Sequence, residues 1–443
     1  MTPNRTLLLA LASLLAACGS TPDSGDMDAG TDPIDAGPGT LASSITQYGI
    51  TWTFDRAYPT GTFVTGDPWV VGPVTIVSVS PEPTSGRNGS VVDPTGGHQG
   101  YDDRGGEYDD GENAAFPLTL GPDHSLVSSI SKPEGIETLN VGALRAQAVL
   151  TVVSAPQLPT IFRPAYAGTD KRYHDAATLR DDVLPDLAAP DVAELARMLD
   201  RPRIDHLSSW TIQHSCAEDN WTNGEGAHAC YGREYATVIS DAALAVMLDT
   251  PAQRDLVLAL VQLGIDNHGV LRAGGSWPAD GGHHSGRKLP IVLAALLLDD
   301  CDLLAVVVLR ADGAFGEDGQ TYEGTTGTAL FGQDCGGGRG TYFEDGCTGG
   351  GARDCRDPAG AVDGCPDYRD CCTSAYWVGE ALAARMLRAE AIWDHDPFFA
   401  YVDRWMAGEV SEEDGTSSAF VSEMWTTYRD ALPAAPPAPR VCE

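Results

Sequence analysis

From Pro290 to Leu298 the chain reads Pro-Ile-Val-Leu-Ala-Ala-Leu-Leu-Leu, with no polar position. A helix made of this run is apolar on every side, so other helices must cover it. Pro290 suits the first turn, where a missing N–H costs nothing. Similar runs recur along the second half of the chain. Tyr235, Val238, Ile239, Ala242, Ala245 and Val246 fall at helical spacing. Pro251 opens a helix over 253–266 that is apolar on most sides. Tyr376–Trp393, Pro397–Met406 and Ala419–Leu432 complete the set. Near residue 190, Pro190 lies in a first turn with Asp191 and Glu194 at its positive end. Leu303–Ala311 fits helix or strand equally. Mutually covering helices of this kind are satisfied by an α/α toroid, an incomplete ring of antiparallel hairpins over 156–435. A plain helical bundle is the alternative.

Residues 45–155 read differently. Ile50–Phe54, Pro68–Ser80, Ser125–Ser131 and Ala146–Ser154 are rich in β-branched residues and separated by Gly, Pro and Asn clusters. Short strands with turn signals predict a β-sandwich domain of immunoglobulin type. The polar stretch 85–113 within it is expected to be solvated, with contact to a neighbouring domain as the other reading.

The first residues are a targeting segment. Arg5 supplies the positive charge, and Leu7–Ala17 is an apolar run too short to span a bilayer. It ends in Leu15-Ala16-Ala17-Cys18, which resembles the bacterial lipoprotein signal. That resemblance implies a signal peptide over 1–17, cleavage before Cys18, and a lipid on the Cys18 thiol. The protein is then exported and anchored in the cell envelope. Residues 18–44, rich in Gly, Pro, Ser, Thr and Asp, form a disordered tether.

The net charge of -35, from 28 basic and 63 acidic residues, argues against nucleic-acid binding, which needs a basic face. It also weighs against a polyanionic substrate unless basic residues are concentrated locally. Of 11 cysteines, Cys18 takes the lipid and ten remain. Export makes disulfides their expected state. Cys216 and Cys230 are expected to close one polar cluster. Cys335, Cys347, Cys355, Cys365, Cys371 and Cys372 crowd a Gly-rich insertion over 312–372. Asp357, Asp363 and Asp367 there have the oxygen chemistry for calcium, without calcium-loop spacing, so a stapled loop is the preferred reading.

Two polar clusters carry the candidate chemistry. Trp210–Glu234 holds His214, Glu218, Trp221, Asn223, Glu225, His228, Tyr231, Arg233 and Glu234 between and around the paired cysteines. Gly274–Lys288 holds Trp277, Asp280, His283, His284, Ser285, Arg287 and Lys288 in a glycine loop leading into a helix. Glycines let backbone approach a ligand closely, and a helix start offers N–H groups to an anion. Trp210, Trp221 and Trp277 have the apolar faces that stack on sugar rings. Tyr376, Trp377 and Glu380 open a later helix, and Arg163 and Lys171 lie in an irregular segment rich in proline. His214, His228, His283 and His284 do not have zinc spacing: HExxH and CxxC are missing, as is the GxSxG hydrolase elbow. No cofactor is expected.

The layout resembles secreted polysaccharide lyases of the α/α-toroid type, including alginate and glycosaminoglycan lyases. Such lyases use Asn, His, Tyr and Arg together, which implies Asn223, His283, Tyr231 and Arg233 as the catalytic set here. The sandwich is N-terminal in this chain, whereas many such lyases carry it after the toroid. The extended NNHSYW-like helix motif of one alginate lyase group is missing. The chain is expected to be a monomer that cleaves an acidic polysaccharide by β-elimination, for which His283, Tyr231, Arg233, Arg287 and Lys288 supply the base, the acid and the cations. His214, Glu234, Trp221, Trp277, His284, Arg287, Lys288, Tyr376, Arg163 and Lys171 are then substrate contacts. Hydrolysis by two carboxylates is the alternative, drawn from Glu225, Glu234, Asp241, Asp280 and Glu380. A surface lipoprotein that binds glycans without cleaving them, and a structural envelope protein, are the non-enzymatic alternatives.

Overall fold

A computed structural model describes residues 39–133, 142–180, 183–184, 187–188, 193–207, 216–222, 230–249, 253–309, 313–324, 327–334, 341–343, 369–408 and 415–434. The signal segment with Cys18, most of the tether, and Asp357, Asp363 and Asp367 lie outside the described residues.

The N-terminal part is one curled sheet, a half-barrel, not a two-layer sandwich. Its strands are β1 (Thr40–Gln47), β2 (Ile50–Thr62), β3 (Pro68–Val71), β4 (Val74–Ser80), β5 (Ser90–Val92), β6 (Leu118–Leu120), β7 (His124–Ser131) and β8 (Leu144–Val153). The order is β5-β7-β8-β3-β2-β4-β6, with β1 also on β2. β1 starts at Thr40, inside the stretch assigned to the tether. Tyr48 and Gly49, both at positive φ, make the tight turn into β2. β2 is 13 residues long and changes partner midway: Thr51–Phe54 pair with β4, and Thr60–Thr62 with β3. A register shift between Thr53 and Phe54 bends it there, and the sheet curls instead of splitting in two. β3 runs parallel to β8, which also departs from the antiparallel immunoglobulin pattern.

Trp52, Phe54, Val70, Ile76, Leu126, Leu150 and Val152 fill the inner face. β8 is buried on both faces. Ala148, Leu150 and Val152 serve the sheet core, while Val149, between the first two, joins the helical core. That period of two welds the parts together.

Eleven α-helices among the described residues form the second part. They are α1 (Ala193–Met198), α2 (Glu218–Thr222), α3 (Gly232–Ala245), α4 (Gln253–Arg272), α5 (Lys288–Leu298), α6 (Cys301–Leu309), α7 (Gly316–Gln320), α8 (Ser374–Met386), α9 (Glu390–Trp393), α10 (Asp396–Met406) and α11 (Ala419–Tyr428). α5 is buried from Lys288 to Leu297, as its unbroken apolar run requires. Leu303–Leu309 is helical, the reading that periodicity left open. The predicted helix over 376–393 is two helices, α8 and α9; Arg388 between them has positive φ.

The insertion carries more order than a stapled loop. α7 leads into a three-stranded antiparallel sheet of β11 (Thr321–Glu323), β12 (Ala329–Asp334) and β13 (Thr341–Phe343), the short pair β9 (Leu187–Ala188) and β10 (Leu248–Asp249) preceding it in the chain. Phe331 packs on Trp377 and Tyr401.

Arg163 joins the two parts. Its Nε donates to Asp67 at 2.8 Å, between β2 and β3, and its Nη atoms donate to Asp266 of α4 at 2.9 and 2.7 Å. All three side chains are buried. Arg163 is therefore an interdomain tie, not a substrate contact. The stretch 85–113 also docks instead of being solvated. Tyr101 is buried edge-on to His206, and Asp93 pairs with Lys171 at 2.9 Å.

Candidate active site

Tyr231 precedes the first residue of α3 in an extended conformation. Its backbone carbonyl accepts from the N–H groups of Glu234 and Tyr235. Gly232 follows, and a Cβ there would lie 1.9 Å from the His283 carbonyl oxygen. Only glycine lets this helix start rest directly on the 281–283 loop. The result is an edge-on contact between Tyr231 and His283, ring centroids 5.0 Å apart.

Arg233 adds a cation. Its guanidinium lies 5.5 Å from the Tyr231 ring centroid and 5.7 Å from that of Tyr376 on α8. It donates to the Cys371 carbonyl at 3.2 Å and pairs with Glu234 at 2.5 Å. Cys371 and Cys372 are bonded to each other and lead into α8. The structure thus gathers Tyr231, Arg233, Glu234, His283 and Tyr376 from three separate segments. His283, Arg233, Glu234 and Tyr376 are half-buried, while Tyr231 is nearly covered. Asp280 belongs to the same loop, its carbonyl accepting from the His283 N–H.

Cys216 and Cys230 are bonded, their Cα atoms 5.9 Å apart, just before this helix start. His214, Asn223, Trp210, Glu225 and His228 lie outside the described residues, and so does the Trp221 side chain.

Several expected substrate contacts turn inward. Trp277 is fully buried, donates to the Asp205 carbonyl at 3.1 Å and stacks on Phe315. His284 is buried and donates from Nδ1 to the Pro278 carbonyl at 2.7 Å. Arg287 pairs with Asp205 at 2.9 Å beneath the Tyr235 ring. Lys288 pairs with Asp318 and donates to the Trp393 carbonyl, both at 2.5 Å. Lys171 is held by Asp93 and by the carbonyls of Ala165 and Tyr166. Trp377 is buried, donating to Ser285 Oγ at 2.9 Å. The apolar rings are packed away from solvent, and each buried cation has a carboxylate partner that offsets part of its desolvation cost. Asp205 and Asp318, the counter-ions that make this possible, carried no sequence signal of their own.

Behind the glycine loop lies a pair of buried carboxyls that sequence reasoning did not join. Glu317 of α7 accepts the Gly286 N–H at 2.5 Å. Burial pushes its carboxyl up to about 6. Burial first, then the adjacent Glu317 carboxyl, pushes Glu380 of α8 well above the usual range. Glu380 is fully buried, so it is not a carboxylate lining an open sugar cleft. Asp241 accepts from Ser418 Oγ at 2.7 Å, a structural hydrogen bond at the start of α11.

Among the described residues no group of three or more His, Cys, Asp or Glu side chains could hold a metal ion. No helix among them is long and apolar enough to cross a membrane. No family model, curated protein or solved structure matches the chain.

Proposed function

We propose that this chain is an exported, lipid-anchored polysaccharide lyase that cleaves a uronic-acid polymer by β-elimination. The observation that carries the reading is the Tyr231–His283 contact with the Arg233 guanidinium beside it. β-Elimination asks for these three functions at one place. A cation near the uronate carboxylate stabilises the charge that develops when C5 loses its proton. In this reading Arg233 supplies it, and His283 accepts the C5 proton. Tyr231 gives its phenolic proton to the departing C4 oxygen as the C4–O bond breaks and the C4–C5 double bond forms. Tyr376 borders the same cation and takes part in sugar contact. Asn223 is assigned the remaining carboxylate hydrogen bond.

The helical part is read as an incomplete α/α toroid. Support comes from the close packing of α4 on α5 and of α3 on α8, helix pairs such as a ring requires. Envelope anchoring is supported by the Leu15–Cys18 sequence, and labelled palmitate should enter the wild-type chain and not Cys18→Ser.

The test of activity is incubation with alginate, pectate, hyaluronan and chondroitin, followed by ultraviolet absorbance of the new double bond. Saturated reducing ends would reassign the protein to hydrolysis. Affinity for these polymers without turnover would make it a glycan-binding lipoprotein.

A further inference from the structure

A cavity of about 520 Å³ lies where α4 meets the 165–174 segment and the loop after β5, and none of its lining residues belongs to the Tyr231 cluster. Its volume is in the range of small-ligand sites. Arg172, Arg272, Asp170, His174, His268 and Asp93 are among its lining residues. Asp170 Oδ2 bridges both arginines, 2.8 Å from Arg272 and 3.5 Å from Arg172. Arg172 also pairs with Asp302. His174 Nε2 is 3.0 Å from Asp300, while its Nδ1 is buried without a hydrogen-bond partner. His268 is 6% exposed, and its Nε2 also has no partner. One buried imidazole, His268, and one half-buried imidazole, His174, thus each bring a nitrogen without a hydrogen-bond partner to the wall of one cavity, where such groups are normally paired.

We propose that this cavity is a binding site for a neutral sugar, separate from the Tyr231 cluster. The charges argue for a neutral ligand. The guanidiniums are already balanced by Asp170 and Asp302, leaving no net positive field for a carboxylate or phosphate. Burial holds His268 down at about 4, so its ring is neutral at physiological pH and offers one donor and one acceptor. The half-exposed guanidiniums and carboxylates at the rim set donors beside acceptors, which suits hydroxyls that donate and accept at once. Ile265, Leu271 and Leu303 add apolar wall for the C–H face of the ring. The proposal does not depend on the lyase reading.

The test is calorimetric titration of the full chain with glucose, galactose, mannose and N-acetylglucosamine, and separately with glucuronate and inorganic phosphate. Saturable binding of at least one neutral sugar is expected. His268→Phe removes the ring nitrogens, and Thr169→Trp fills the exposed rim of the cavity without touching the core. Each should weaken binding at least ~10-fold, and Thr169→Trp keeps the test valid if the buried variant does not fold. Tyr231→Phe should leave the affinity unchanged. No neutral sugar bound, binding of glucuronate or phosphate alone, indifference to Thr169→Trp, or loss in Tyr231→Phe would each overturn the proposal.

Discussion

The His283 imidazole meets the Tyr231 ring edge-on, the planes crossing at 82° with centroids 5.0 Å apart. The chain runs through α3 and α4 between them. That proximity makes the first prediction specific. Tyr231→Phe and His283→Gln should each lower turnover on the polymer that proves to be substrate by at least ~10²-fold, the usual weight of a positioned acid or base. Affinity should stay within a few-fold. Initial rates and equilibrium binding on the same variants check it, and a parallel loss of binding would point to a recognition role.

Gly232→Ala puts a methyl group 1.9 Å from the His283 carbonyl. The neighbour is backbone, so either α3 or the loop must move. A loss of about 1–3 kcal/mol of stability is expected, as for overpacked sites, together with loss of the Tyr231–His283 contact. Urea unfolding measures the first effect. Unchanged stability would mean the helix start is not held against that loop.

Arg163→Met should be among the most damaging single changes. It leaves Asp67 and Asp266 buried without their shared cation. Removing one partner of a buried ion pair costs about 3–5 kcal/mol. Denaturation should show a lower midpoint, and partial proteolysis should show the sheet and the helical part cleaved apart. Replacing all three residues by apolar ones should recover much of the loss.

The Glu317–Glu380 pair makes stability depend on pH. Both carboxyls are raised in the folded chain, Glu317 from the ordinary 4.5 to about 6. Between those values the folded state holds a proton that the unfolded state has released. Their contribution is therefore present below the ordinary glutamate value and is lost as pH rises through the folded value. Glu380→Gln removes one charge without changing shape. It should flatten the fall in midpoint between pH 4.5 and 6 and make the protein more stable than wild type above that window. Thermal melts across that range decide the matter. An unchanged pH profile would show that the pair does not titrate there.

Local pattern revealed a good part of this molecule. The unbroken apolar run at 290–298 implied a helix covered on all sides, and α5 is one. The Cys216–Cys230 bond was expected from the way the two cysteines flank one polar cluster. Strand content before residue 155 was visible in the β-branched runs. The number of sheet layers was not, because it turns on where β2 changes partners. Arg287 and Lys288 looked like substrate cations because their counter-ions, Asp205 and Asp318, are distant in the chain. Trp277 looked like a sugar platform because a burial preference and a stacking preference select the same residue.

The amino-acid order alone determined where the strand-rich first part gives way to the helical second part and placed the main apolar helices, since periodicity and turn chemistry act over a few residues. It also placed Tyr231, Arg233 and His283 in polar clusters rich in glycine. Only the tertiary structure decided which side chains of those clusters face one another and which face inward. Burial and charge pairing are settled by groups far apart in the chain, and a local pattern holds no record of them.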